Sequence, residues 1–219
     1  MLYFEKGSPE YAFRSEEIKK AVFATLDKLG PKKKVLAIPP DFTRFYSRAG
    51  ELTRYVYEYY GDRLTDILPA LGTHFPMTEE EIGKMFPGVP LSLFKVHNWR
   101  EDVVTVGTVP GEFVKEVSEG AVDYPVPVQV NKLLLEGGYD LILSLGQVVP
   151  HEVIGMANYN KNIFVGVGGA ECINKSHFVG ATYGMERIMG RALGPVRKVL
   201  NYASDNFSQN LPIVYLQTV

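Results

Sequence analysis

The chain has 219 residues, of which 46% are hydrophobic, and its 23 basic and 25 acidic residues give a formal net charge of -2. This length suffices for one substantial α/β domain with a proper core, whereas two full domains would fit only tightly. The near-neutral charge offers no basic surface of the kind that nucleic acid requires. No apolar run approaches the length of a membrane span, so we expect neither nucleic acid nor a membrane as a partner.

The N-terminus and the cysteine content indicate the compartment. The segment MLYFEKGSPEY has acidic and polar residues where a signal peptide would have an apolar core. The only cysteine, Cys172, excludes an internal disulfide framework and fits a reducing compartment. Its neighbours Ala, Glu and Ile favour a small core residue over a nucleophile. We therefore expect a cytoplasmic protein.

Helices and strands are predicted to alternate in the first half of the chain. Ser15, followed by two glutamates, predicts the N-cap of a helix that ends at Gly30. VLAI predicts a short buried strand, residues from about 50 to 60 have helical periodicity, and DILPAL is strand-like. Thr78 and Glu81 then have the spacing of a capping box and predict a further helix.

The second half continues the alternation. LFKVH, VVTVGTV, YDLILSLG and NIFVGVGG are predicted as strands, and VQVNKLLLE as a helix. Helices are predicted from Met185 to about Asn206, and the apolar segment PIVYLQTV is predicted as a last buried strand. This alternation predicts an α/β fold with a mostly parallel, Rossmann-like sheet and helices on both of its faces.

Residues whose side chains could bind a ligand or take part in catalysis follow three of the predicted strands. VLAI leads to Asp41, Thr43 and Arg44, DILPAL leads to His74, and LILSL leads to His151. Ligands of open parallel sheets bind beyond the carboxyl ends of the strands, where these side chains would meet. Taken one at a time, an Asx or Ser/Thr turn for the acid and a hydrogen-bonded structural role for each histidine stay open.

Three further residues have an ordinary interpretation when considered alone. His97, in VHNWRED, follows a predicted strand and favours a structural role in its loop. Lys161, in NYNKN, is typical of a surface charge, and His177, in INKSHF, is typical of a helix surface. The motifs of dinucleotide binding, of the P-loop, of zinc proteases and of serine hydrolases are absent.

Three segments taken together point to one family. PPDFTR, LGTHFPMTEEEI and PHEVIGMANYNKNIFVGVGGAECINKSH resemble the lactate racemase family, whose enzymes use the nickel-pincer nucleotide (nickel pyridinium-3,5-bisthiocarboxylic acid mononucleotide). The resemblance extends from about Asp41 to His177. Its specificity comes from order and spacing, with a lysine ten residues after His151 and a histidine sixteen residues after that lysine.

The resemblance implies a division of roles among seven residues. Lys161 matches the lysine that joins the cofactor through a thioamide, and His177 matches the histidine that completes nickel coordination. His74 and His151 match the two acid/base histidines. The residues that would lie near cofactor and substrate are Asp41, Thr43 and Arg44.

The implied activity is that of an isomerase. It is a nickel-pincer-dependent racemase or epimerase of 2-hydroxy acids that acts by reversible hydride transfer to the cofactor. Where family members often carry Ser-Gly-Gly before the lysine, this chain has ANYN at residues 157–160, which favours a more polar pocket. That departure favours a sugar acid such as mannonate or gluconate over lactate.

The resemblance also leads to an expectation about domains. Residues 1–219 would form the N-terminal catalytic and cofactor-binding domain, and a C-terminal domain that closes over the site would be absent from this chain. Two rival functions stay open. One is a metal-dependent lyase or dehydrogenase that uses the same histidines, and the other is a module that binds or stores the cofactor without turnover.

Overall fold

The computed structural model describes residues 1–219, and a parallel sheet lies at its centre. The strands, numbered along the chain, are β1 (Val35–Ile38), β2 (Leu64–Ile67), β3 (Val103–Val109), β4 (Val126–Asn131), β5 (Leu141–Gln147), β6 (Pro150–His151), β7 (Gly155–Met156) and β8 (Ile213–Thr218). The central sheet has the order β2-β1-β5-β8, and all of its pairs are parallel. Two antiparallel pairs, β3-β4 and β6-β7, complete the strands.

Eight α-helices connect and cover these strands. They are α1 (Ser15–Leu29), α2 (Ala49–Tyr60), α3 (Glu79–Met85), α4 (Gly111–Val117), α5 (Leu133–Glu136), α6 (Ala170–Tyr183), α7 (Met185–Ile188) and α8 (Pro195–Phe207). A 3-10 helix follows β1 at Phe42–Ser47, and a π-helix at Asn162–Gly166 precedes α6. None of the helices combines the length and the apolar character that a membrane crossing requires.

The side chains of the sheet separate into two cores. In β1, Val35 and Ala37 pack with residues of α1, α2 and α3 on one face. Leu36 and Ile38 pack on the other face with residues of β4, α6 and α8. All four side chains are fully buried, and full burial of a valine, leucine or isoleucine side chain stabilises the fold by about 1.5–3 kcal/mol. The predicted α/β fold, with a mostly parallel sheet covered on both faces, is confirmed.

Three predicted elements are wrong. VQVNKLLLE is not a helix, because the alternately buried valines of VPVQVN form β4 against β3 and only the one-turn helix α5 follows. NIFVGVGG is not a strand but largely the π-helix, since a short apolar run does not separate a buried strand from a buried helical turn. LFKVH contributes only one isolated bridge, between Phe94 and Ile67. No prediction covered α4.

The predicted helix starts are partly right. The capping box of α3 is confirmed, with the Glu81 N–H donating to Thr78 Oγ1 at 3.2 Å and the Thr78 N–H donating to Glu81 Oε2 at 2.8 Å. Ser15, however, is the first residue of α1, and Arg14 holds the N-cap position. The Arg14 N–H donates to Glu17 Oε2 at 3.0 Å, so the glutamate side chain satisfies this helix end instead.

The close packing of α2 against α3 depends on a glycine. A Cβ atom on Gly50 would overlap the backbone oxygen of Met85, whereas one on Gly83 in α3 would meet no atom within 4 Å. We expect Gly50→Ala to lower the free energy of unfolding by about 1–3 kcal/mol, because the helices must move apart. Gly83→Ala should raise it by about 0.5–1 kcal/mol through better helix propensity.

Urea unfolding followed by circular dichroism measures both changes. Equal effects of the two substitutions would show that the contact between the helices does not set the cost.

Candidate active site

One cavity brings together every residue that the sequence pointed to as a site residue. It has a volume of about 220 Å³ and lies beyond the carboxyl ends of β1, β2 and β5. Because neighbouring parallel strands end at the same edge of a sheet, the segments that follow them are forced into proximity. The predicted residues that line the cavity are Asp41, Thr43, Arg44, His74, His151, Lys161 and His177.

Asp41 and His74 form a close polar pair in the site. Asp41 follows β1 and is buried, and its Oδ1 accepts the N–H of Thr43, so the predicted Asx turn is present as well. Its Oδ2 lies 2.6 Å from His74 Nδ1. A carboxylate can only accept, so His74 Nδ1 is the donor in this pair, and in the neutral ring Nε2 is the nitrogen that can accept. The turn and the pair are compatible roles of one carboxylate.

The loop that carries His74 is held against the π-helix. The strand β2 ends at Ile67, earlier than DILPAL suggested, although the N–H groups of Leu68 and Ala70 still donate to the oxygens of Ala37 and Pro39 at 2.9 and 2.7 Å. Gly72 adopts a left-handed conformation, with φ of 57°, and its N–H donates to the oxygen of Gly166 at 2.7 Å. This bond ties the segment before His74 to the segment after Lys161.

His151 has the opposite proton arrangement from His74. It lies in the short hairpin β6-β7, is buried, and its Nδ1 accepts the N–H groups of Val153 at 3.1 Å and Ile154 at 3.3 Å. Backbone N–H groups can only donate, so neutral His151 carries its proton on Nε2. Burial, followed by the positive charge of Lys161, lowers the pKa of His151 to about 4. It is therefore neutral at physiological pH.

Lys161 immediately precedes the π-helix and is half-buried in the cavity. The irregular turn is closed by the oxygen of Asn160, which accepts the N–H groups of Ile163 and Phe164, both at 3.1 Å. Burial and the charge of Arg44 lower the pKa of the Lys161 amine to about 8. A lysine in this state has a substantial neutral fraction near physiological pH and is a competent nucleophile for an acyl group.

His177 lies on α6 and presents one ring nitrogen in a form that can bind a metal. Its Nδ1 lies 2.7 Å from the oxygen of Ile173, which can only accept, so Nδ1 carries the proton and Nε2 has a free lone pair. Burial lowers the pKa of His177, which keeps the ring neutral. A histidine oriented by a backbone carbonyl in this way is typical of a metal ligand.

No group of three or more histidine, cysteine or carboxylate side chains in the chain could hold a metal ion. A metal bound at His177 would therefore need further donors from outside the protein side chains. Sulfur donors of an organic cofactor fit this requirement, because nickel accepts imidazole and soft sulfur ligands. The donor set of the site thus fits a metal that enters together with an organic group.

The contacts of His97 and Cys172 agree with the structural roles predicted for both residues. His97 is buried outside the cavity, where its Nε2–H donates to the oxygen of Gly168 at 2.9 Å and its Nδ1 accepts from Asn131 Nδ2 at 2.9 Å. It does not follow a strand, since LFKVH is not one. Cys172 is buried in the core, and burial raises the pKa of its thiol to about 11, so it is unreactive.

Several polar residues of the cavity were not predicted as site residues, among them Gln147 and Glu152. Gln147 is the last residue of β5, and Glu152 follows His151, with its carboxylate 3.6 Å from the Nδ1 atom of that histidine. Gln147 could have been found from sequence, because it directly follows the apolar run LILSLG at a strand end. Glu152 carried no signal apart from its position beside a histidine.

The fold and the cavity define a class of protein. It is an α/β protein with a site at the carboxyl ends of its parallel strands. A lysine of lowered pKa lies there with a histidine whose Nε2 could bind a metal. Two further histidines differ in the hydrogen-bonding role of Nδ1, which donates in His74 and accepts in His151. The model of the lactate racemase N-terminal domain matches residues 14–188, so the chain belongs to that family.

Two solved structures share the fold. A crystal structure of a protein from Thermotoga maritima is 29% identical, with a TM-score of 0.84 over 98% of this chain and 52% of that chain. The lactate racemase apoprotein from Thermoanaerobacterium thermosaccharolyticum is 24% identical, with a TM-score of 0.67 over 94% of this chain and 49% of that chain. The chain therefore spans about half the length of these structures. Comparison with curated proteins gives no match.

The pKa of His151 predicts a pH dependence of stability. The folded value of about 4 lies below the ordinary value of 6.5, so the unfolded chain binds this proton first as the pH falls. We expect His151 to reduce the free energy of unfolding by about 2 kcal/mol between pH 7 and pH 5 in the cofactor-free protein. Stability from this residue is full above pH 6.5.

The control for this effect is His151→Asn. Its amide oxygen can accept the same two backbone N–H groups, but the side chain does not titrate. Urea unfolding at pH 7 and pH 5 should show a loss smaller by about 2 kcal/mol in the variant than in the parent protein. The same loss in both proteins would contradict the assigned state of His151.

Proposed function

We propose that this chain is the cofactor-binding and acid/base part of an isomerase, a nickel-pincer-dependent racemase or epimerase of 2-hydroxy acids. The observation that carries the proposal is that Lys161, His177, His74 and His151 line one cavity in a member of the lactate racemase N-terminal domain family. Their proton states support four different roles. The chain spans about half the length of its solved relatives, so the activity of the whole protein is itself part of this proposal.

Lys161 and His177 are suited to hold the cofactor. The lowered pKa of Lys161 leaves part of its amine neutral, and a neutral amine would be suited to hold the cofactor covalently. The unprotonated Nε2 of His177 is available for nickel. When bound, the nickel-pincer nucleotide would supply the acceptor for the α-hydrogen of the substrate, which leaves as hydride. Positioning and proton transfer then remain for the protein.

His74 and His151 are suited to act on the substrate oxygen. In the described state, His74 Nε2 can accept the hydroxyl proton while Asp41 stabilises the resulting imidazolium. His151 can donate a hydrogen bond from Nε2–H to the oxygen that becomes a carbonyl. Return of the proton from His74 Nε2 to that oxygen would complete the part of this histidine in inversion, once the planar 2-oxo acid presents its opposite face to the cofactor.

Arg44 is suited to hold the carboxylate of the substrate or the phosphate of the cofactor. It lies in the 3-10 helix after β1, is exposed at the cavity, and presents a planar guanidinium fork. The expected partners are a small 2-hydroxy acid and the cofactor, with no nucleic acid or membrane. The free buried Cys172 supports a reducing, cytoplasmic location.

The cofactor assignment is tested with the complete encoded protein, produced together with the enzymes that make the nickel-pincer nucleotide. Intact-protein mass spectrometry should show an adduct that disappears in Lys161→Ala, because no amine remains at the site. Lys175→Ala is the matched control, since this lysine on α6 pairs with Glu171 at 3.1 Å instead of lining the cavity. Its adduct should persist.

His177 is tested on the same material by elemental analysis. His177→Ala should retain the covalent adduct and lose most of its nickel, because one ligand is removed while the lysine linkage stays. An adduct on a residue other than Lys161, or full nickel content without His177, would refute these roles.

The acid/base pair predicts a selective loss of turnover. His74→Gln and Asp41→Asn should each lower kcat for inversion of the α-carbon by about 10²–10⁴-fold, with the cofactor adduct still present. Asp62→Asn, at an exposed turn, should have no effect. Proton NMR on both enantiomers of lactate and gluconate measures the inversion. Full activity of the His74 variant would exclude it as the base.

A further inference from the structure

Asn158 is the cavity residue whose side chain lacks an explanation. It is 5% exposed and lines the cavity, yet neither its Nδ2 nor its Oδ1 atom has a hydrogen-bond partner. Buried polar side chains are nearly always paired, because leaving a donor and an acceptor unmet costs their full desolvation. The structure thus holds an unused donor and an unused acceptor at the site.

The backbone around Asn158 is held in a demanding conformation. Asn158 and Tyr159 both adopt left-handed backbone angles, with φ of 60° and 57°, which is uncommon for residues other than glycine. Arg197 on α8 holds this segment, because its guanidinium donates to the oxygens of Met156 and Asn158 and to the side chain of Asn160. The helix α8 therefore holds the backbone that carries the Asn158 side chain.

The sheet leaves space for this amide. A Cβ atom on Gly146, near the end of β5, would overlap Asn158 Nδ2, so only glycine at that position admits the side chain in its present place. Asn158 also lies seven residues after His151 and three before Lys161. The amide is thus placed at the cavity, on the segment between His151 and the cofactor lysine.

The chemistry of the amide selects one class of ligand. Phosphates and carboxylates are acceptors only, so they would pair with Nδ2 and leave Oδ1 facing a negative charge. A hydroxyl group both donates and accepts, and two neighbouring hydroxyl groups can satisfy both amide atoms. The unpaired amide therefore favours a polyhydroxy ligand over the anionic groups of the cofactor.

We propose that Asn158 is a specificity-determining residue that binds hydroxyl groups beyond C2 of a polyhydroxy 2-hydroxy acid, an inference that rests on the proposed function. Lactate has no such hydroxyl groups and leaves the amide unpaired. The complete protein accordingly prefers sugar acids to lactate.

The first test measures binding to the cofactor-free protein. The side-chain ¹⁵N–¹H amide signals of Asn158, assigned by their loss in Asn158→Gly, should shift on titration with D-gluconate and stay in place with D-lactate. Gluconate binding without movement of these signals, or equal movement with both acids, would overturn the inference. This readout does not depend on turnover.

The second test compares turnover by the cofactor-loaded complete protein. Asn158→Gly suits the left-handed backbone and removes only the amide, so the ratio of kcat/KM for gluconate to that for lactate should fall about 10–100-fold. Tyr159→Gly relieves the same backbone strain beside it and keeps the amide, so its ratio should stay within about threefold of the parent value.

These outcomes separate the inference from the proposed function. If the ratio of kcat/KM for gluconate to that for lactate is unchanged in Asn158→Gly, the inference is overturned. Inversion of either acid by the same protein would still support the proposed racemase or epimerase activity. If the loaded protein inverts no 2-hydroxy acid, the function fails, and the amide signals alone decide whether Asn158 binds a polyhydroxy acid.

Discussion

The parallel pairing of β1 with β2 on one side and β5 on the other is the constraint on which the site depends. Val35 pairs with Leu64 and with Leu141, so the three strands start level and end at one edge. Each strand then leads into a short segment that stays close to this edge of the sheet. These segments carry Asp41, His74 and His151. The two cores on the faces of the sheet hold the strands in this register.

Within that frame, the direction of a few hydrogen bonds decides what each histidine can do. A backbone oxygen accepts from His177, a carboxylate accepts from His74, and backbone N–H groups donate to His151. Since these partners cannot exchange roles, each ring has one defined free nitrogen. On this basis the proposed mechanism assigns three different roles to the rings, with His177 as a metal ligand, His74 as a base and His151 as a hydrogen-bond donor.

The family resemblance identified seven residues of the cavity, but the sequence did not predict the element that follows Lys161. The sequence predicts a strand directly after Lys161, whereas residues 162–166 form a π-helix. The oxygen of Asn160 accepts backbone N–H groups from its first turn. Apolar periodicity over five residues does not separate these structures, because burial from all sides removes the polar face that would reveal the period. Arg197, which holds the segment from the distant helix α8, gave no sequence signal, since a buried arginine looks like any surface arginine in a sequence.

The sequence by itself determined the α/β class, the strands VLAI, VVTVGTV and LILSLG, and the set of residues that the family shares, because these depend on local pattern and spacing. The tertiary structure alone decided the β3-β4 pairing, the proton states of the histidines and the unpaired state of the Asn158 amide. The physical reason is that hydrogen-bond partners and burial come from residues remote in the chain. Asp41 and His74 are 33 residues apart, and Asn160 and Arg197 are 37 apart. No local pattern encodes such contacts.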